Sequence, residues 1–86
     1  MKTDEEFKSM VESGNWRDRE EAAKHGVALD VLIHDENLFV RWEVAKQGFG
    51  LEYLAEDQHP YVKKAAIEAM ISNEKSLDLE EFGIDL

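Results

Sequence analysis

The sequence predicts an all-α protein, a short right-handed α-solenoid built from 22-residue repeats of two helices each. Three observations predict it. "AAKHGVALDVLIHDENLFVR" at 22–41 and "VAKQGFGLEYLAEDQHPYVK" at 44–63 are two versions of one pattern. An offset of 22 aligns nine identical pairs across positions 15–36, among them Asn15/Asn37, Arg19/Arg41, Gly26/Gly48, Leu29/Leu51, Leu32/Leu54 and Asp35/Asp57, which marks an internal repeat. Each copy is also punctuated as helix: an Asn that can cap a first turn, then a Gly suited to a left-handed end. Finally, steps of 100° gather Val40, Arg41, Val44 and Ala45 on one side of a helix, and Val62, Lys63, Ala66 and Ile67 on the same side of the next copy. Such a face is buried only by stacking successive units.

The elements follow in order. Thr3 with Glu6 forms a capping box and predicts a helix over about 4–13, closed by Gly14. Phe7 and Met10 stand where Leu29 and Leu32 stand in the next unit, so the pattern reaches back into this helix. A long helix is predicted over 15–25, from Asn15 to Gly26, and another over 37–47, from Asn37 to Gly48. Between them the pairs Leu29/Leu32 and Leu51/Leu54, three apart, mark short helical turns of α or 3₁₀ type. In the third copy His59-Pro60 replaces the Asn start, and proline suits the first helical position. Met70 stands where Gly26 and Gly48 stood, so this helix is predicted over 60–73. Ser76 would cap a last short helix whose Leu79 and Phe82 cover the end of the stack, or the tail would fold only on a partner. The chain thus divides into a capping helix at 1–14, repeats at 15–73 and an acidic cap or tail at 74–86, all one domain.

The 86 residues carry a formal charge of −10, and no segment is basic: 1–14 holds two Lys against four acids, 15–73 seven basic against eleven acidic residues, and 74–86 one Lys against five acids. This disfavours direct contact with nucleic acid or an anionic membrane and favours a protein partner with a basic surface. The absence of cysteine excludes disulfides and thiolate metal sites and fits a cytoplasmic protein. The start "MKTDEEFKSM" lacks the apolar run of a signal peptide, and no stretch approaches the ~20 apolar residues of a membrane span.

The pattern "VRWEVAKQGFGLEYLAEDQHPYVKKAA", with Val40-Arg41, Val44-Ala45, Gly48, Leu51, Leu54, Asp57 and Val62-Lys63, resembles HEAT-like repeats. More narrowly, it is similar to the leucine-rich-repeat-variant type, in which a long α-helix alternates with a short 3₁₀-like one. The resemblance covers about 15–69. The period of 22 is slightly shorter than usual there, and the Asn-Pro and Pro-Pro dipeptides of that type are absent. The resemblance implies an interaction scaffold.

No catalytic, cofactor-binding or metal-binding constellation stands out, and no cofactor is expected. The three histidines, His25, His34 and His59, lack the i, i+4 spacing of a zinc helix. Glu20-Glu21 and Glu80-Glu81 are adjacent, about 100° apart on a helix, and do not face one substrate. Arg19, Arg41 and Lys63 are placed to pair with Asp35 and Asp57 along the stack, a structural ladder. The candidate site is aromatic. Phe39 and Tyr61 share a repeat position that points away from the core, and Trp42 lies at the boundary on the same side. Side by side they would form the centre of a protein-binding face, with Glu43 and Glu68 on its rim. The function expected is a non-enzymatic protein-interaction module. The alternative is a small acidic inhibitor that mimics nucleic acid and occupies the groove of a nuclease or other nucleic-acid-binding protein, as small phage-encoded antagonists of defence nucleases do.

Overall fold

A computed structural model describes the backbone of residues 2–81 and the side chains of residues 2–72. Among the described residues there are six helices and no strand: α1 (Asp4–Val11), α2 (Trp16–Lys24), α3 (Leu29–Leu32), α4 (Leu38–Lys46), α5 (Leu51–Leu54) and α6 (Pro60–Glu81).

Capping sets the starts. Thr3 Oγ1 accepts from the Glu6 amide at 3.2 Å while Glu6 Oε1 accepts from the Thr3 amide at 2.8 Å. Asn15 and Asn37 cap α2 and α4 by accepting from the Arg17 and Phe39 amides at 3.0 and 2.8 Å. In the third unit the Tyr61 amide lies 3.3 Å from His59 Nδ1, so a ring nitrogen takes over the role of the Asn oxygen. The long helices α2 and α4 end as Schellman motifs. The Val27 amide donates to Ala22 O and the Gly26 amide to Ala23 O, and Phe49 and Gly48 repeat this onto Val44 and Ala45. Both glycines sit at positive φ, +74° and +83°.

Three expectations need correction, while the short segments fall within the α or 3₁₀ reading. The first helix stops at Val11, and Gly14 is not among the positive-φ residues, so the Ser13-Gly14 turn ends it without a left-handed cap. The short segments are single α-turns: Leu32 and Leu54 donate to the carbonyls four residues back, while Val31 and the residues just after each turn also make three-residue bonds. The last helix runs on to Glu81 instead of stopping near 73, so Ser76 lies inside α6 rather than at the start of a further short helix. Between Met70 and Glu81 there is neither glycine nor proline to stop it. The expected inward packing of Leu79 and Phe82 lies outside the described side chains. Lastly, Lys63 and Ile67 do not belong to the core; both are exposed.

The long helices pack in chain order, α2 on α4 and α4 on α6, while α3 and α5 bridge the seams and α1 covers α2. Alanine at the contacts (Ala22, Ala23, Ala45 and Ala66, all fully buried) lets the helices approach closely. Leu32 and Leu54 fill the seams from the short turns with 1% and 0% exposure. Burying each stabilises by about 1.5–3 kcal/mol. The molecule is only 15 Å along its shortest axis, so this core is a single row of side chains.

Candidate functional site

Two loops and one arginine form the unit that orients the site. Asp35 Oδ1 accepts from the Asn37 amide at 2.9 Å, and Asp57 Oδ1 accepts from the His59 amide at 2.8 Å. Arg41 Nε and Nη2 donate to the two Asp57 carboxylate oxygens at 2.8 and 3.2 Å, while its Nη1 donates to the Asp35 carbonyl at 2.7 Å. Each arginine therefore ties the loop six residues before it to the loop sixteen residues after it. Arg19 does the same, reaching Asp35 at 2.6 and 3.1 Å and the Ser13 carbonyl at 2.7 Å. The ladder predicted for Arg19 and Arg41 is present. Lys63 does not continue it, because the residue 22 beyond Asp57 is Leu79. Burial alone would push the Asp57 carboxyl up, but the Arg41 bonds and the His59 amide outweigh it and hold it below the ordinary carboxylate range. The bond to Asp35 likewise raises the Arg19 guanidinium above its ordinary value, against the opposing pull of desolvation.

These clamps fix α4 beside α6, and a groove of about 390 Å³ opens between them. Leu38, Phe39 and Trp42 line it from α4; Tyr61, Lys64, Ala65 and Glu68 line it from α6. Four of the five residues singled out in the sequence thus meet at one place: Phe39, Trp42, Tyr61 and Glu68. Phe39 is 40% and Tyr61 64% exposed, and Trp42 is half-buried against the core.

Glu43 is the exception. It was expected on the rim and is 3% exposed. A helical wheel assigns one inner face to a helix, but α4 lies between α2 and α6, so residues off its main face still meet a neighbour. Lys46 Nζ stands 3.6 Å from Glu43 Oε2 and 4.3 Å from the centre of the Trp42 ring, joining the buried acid to the groove wall.

The sequence reading also missed Trp16, which stacks on Phe39 with ring centres 5.4 Å apart and 26° between planes. The missed signal was an aromatic at the first position of the preceding helix, next to the residue that aligns with Phe39. Phe39 and Tyr61 flank the groove, while Trp16 backs Phe39 from the other side.

A second, wider cleft of about 900 Å³ lies along the loops and includes His34, Asp35, Glu36, Glu52, Tyr53, Glu56 and Asp57. Although larger, it has less to offer a ligand. Asp35 and Asp57 are committed to the clamps, and His34 and Tyr53 pack on each other with Tyr53 Oη 3.3 Å from His34 Nδ1. His25 pairs with Glu21 at 3.1 Å and packs on Phe7. Among the described residues no group of three His, Asp or Glu side chains is placed to hold a metal ion, and no helix is long and apolar enough to cross a membrane.

No protein-family model, no curated protein and no solved structure matches the chain, so the site is interpreted from its own geometry.

Proposed function

We propose that this chain is a non-enzymatic protein–protein interaction module, a short right-handed solenoid of HEAT-like repeats that docks a protein partner in the groove between α4 and α6. The observation that carries the reading is the exposure of Phe39 and Tyr61 beside Trp42 in one groove. Burying such rings would stabilise an isolated domain by about 1.5–3 kcal/mol each. Leaving them open is accounted for by a partner that covers them, and buried aromatic anchors are where interfaces concentrate their energy. Glu68 and Lys64 rim the groove and steer the approach.

A second reading has its own support. The charge of −10 and the acidic loop cleft suit a mimic of nucleic acid that inhibits a nuclease or another nucleic-acid-binding protein. Salt separates the two. Affinity capture from the native cell at physiological and at ~1 M salt, with identification of the captured protein, is the test, because exposed charges are screened over about 3 Å at the higher value. Groove docking predicts capture that survives salt and is lost with Phe39→Ala. Capture that salt abolishes and Phe39→Ala leaves intact supports the mimic and contradicts the groove.

A further inference from the structure

We infer that the groove between α4 and α6 takes a tryptophan side chain of the partner, seated above Leu38 and stacked on Tyr61. The inference rests on the groove reading above and adds the chemistry of the guest.

The preceding seam supplies the pattern. Trp16 and Leu38 both open a helix, α2 and α4, directly after an Asn cap of nearly the same backbone, φ −93° and ψ 117° against φ −90° and ψ 128°. Phe39 and Tyr61 are likewise the second residues of α4 and α6. In the first seam Trp16 of α2 stacks on Phe39 of α4, with ring centres 5.4 Å apart and 26° between planes. Shifted by 22, the same pair is Leu38 and Tyr61. Leu38 has no ring to offer, and no described ring is stacked on Tyr61; His59 meets it at 5.2 Å but tilted by 54°. Both Leu38 and Tyr61 line the groove. The seam between α4 and α6 is thus open at the place that an indole fills between α2 and α4.

The walls of that place favour an aromatic guest. The other neighbour of Trp16 is the Arg17 guanidinium, 5.5 Å from the ring centre. The position equivalent to Arg17 is Phe39, so a guest in the second seam meets Phe39 as well as Tyr61. Stacked or tilted ring pairs gain attraction beyond the area they bury. Charge argues the same way. Lys64 and Glu68 give the lining one cation and one anion, and Lys46 already stands over the Trp42 ring at 4.3 Å. A neutral guest therefore suits the groove better than lysine or arginine, although the whole chain stands at −10. Among neutral rings, tryptophan carries an N–H that needs an acceptor once buried, and the Glu68 carboxylate is part of the lining. The volume of about 390 Å³ is at the small end for ligand sites, which suits a single anchoring side chain.

The test uses the whole ¹⁵N-labelled protein and N-acetyl-tryptophanamide as probe, with N-acetyl-argininamide and N-acetyl-leucinamide beside it. Amide shifts are followed by NMR up to about 20 mM probe, because a single side chain binds at the millimolar level. The expected result is shifts centred on Phe39, Trp42 and Tyr61 with the tryptophan probe and not with the other two. Leu38→Trp should close the groove from within. The shifts then vanish, and the unfolding equilibrium constant falls about two- to tenfold, the range of an aromatic pair. Tyr61→Ala should remove that gain. No shifts, shifts elsewhere, or equal shifts from the arginine or leucine probe would overturn the inference. If Leu38→Trp does not fold, the titration of the native chain still decides. With the captured partner, Leu38→Trp should weaken binding at least about tenfold, as blocking an aromatic hot spot does. A partner lost with Phe39→Ala but held unchanged by Leu38→Trp would overturn the tryptophan guest and leave the groove reading standing. A partner indifferent to both would overturn the groove itself.

Discussion

Residues 28 and 50 occupy the same repeat position, and both adopt left-handed backbone, at φ +53° and +61°. One is alanine and the other glycine. For an L-residue with a Cβ this conformation costs about 1–2 kcal/mol, part of which a glycine returns as flexibility in the unfolded chain. Ala28→Gly is therefore expected to raise stability by about 0.5–1 kcal/mol in denaturant unfolding. The reverse change, Gly50→Ala, adds a second penalty, because a Cβ there collides with Ile33 Cδ1. It should cost about 2 kcal/mol. Equal and opposite effects at the two positions would show that the Ile33 contact is yielding. The need for a left-handed residue before each short helix was not legible in the sequence. Ala28 hides it, and Gly50 stands so close to Gly48 that the two read as one turn. The helix-ending glycines Gly26 and Gly48 were legible because each follows a run of helix formers at the same spacing.

At the scale of elements, the arginine clamp joins one unit to the next. Side-chain exposure of 13% and 7% for Arg41 and Asp57 places the pair well inside the range where losing a charged hydrogen bond matters. Arg41→Met should cost about 2–3 kcal/mol, the scale of hydrogen bonds to charged groups. Lys63→Met, at the equivalent but uncovered position, should stay within about 0.5 kcal/mol. Matching losses at the two sites would contradict the clamp. The same pair sets a response to acid. Asp57 is held below the ordinary carboxylate range when folded, so its contribution is fully present above the unfolded value of about 3.9 and is lost as pH falls through the lower folded value. Unfolding curves of Asp57→Asn and the native sequence should differ by a constant amount above about pH 5, begin to approach each other below about pH 4, and meet only once pH has passed the lower folded value. A difference that persists at the lowest pH would remove this account. The sequence placed α2 and α4 within a residue of their observed ends, since Asn caps and glycine stops are written at both. It misjudged α6, where Met70 removes the stop and nothing before Gly83 replaces it. It misjudged Glu43 because a wheel drawn for one helix ignores a neighbour on each side.

For the whole molecule, the repeat answers to architecture, and under the proposed function the departures from it answer to binding. Where the pattern is kept, at 19/41, 23/45, 32/54 and 35/57, side chains are buried or clamped. Where it varies, at 17/39/61 and where Ile67 stands in place of Ala45, Arg17, Phe39, Tyr61 and Ile67 are exposed. The aromatic positions could be chosen from sequence because they repeat. Their assembly into one groove, and the seating of Trp16 behind Phe39, depended on the distance between α4 and its neighbours, which periodicity does not give. Tyr61 separates folding from binding most cleanly. It is 64% exposed, more than Phe39 and far more than Trp42, so its ring contributes little to the core. The decisive measurement is the dissociation constant of Tyr61→Ala for the captured partner, taken on samples whose denaturant midpoint is recorded alongside. The account predicts a midpoint within about 0.5 kcal/mol of the native protein and binding weaker by about 2 kcal/mol, roughly thirtyfold. Unchanged affinity would contradict it, and so would a loss of affinity that merely follows a loss of fold.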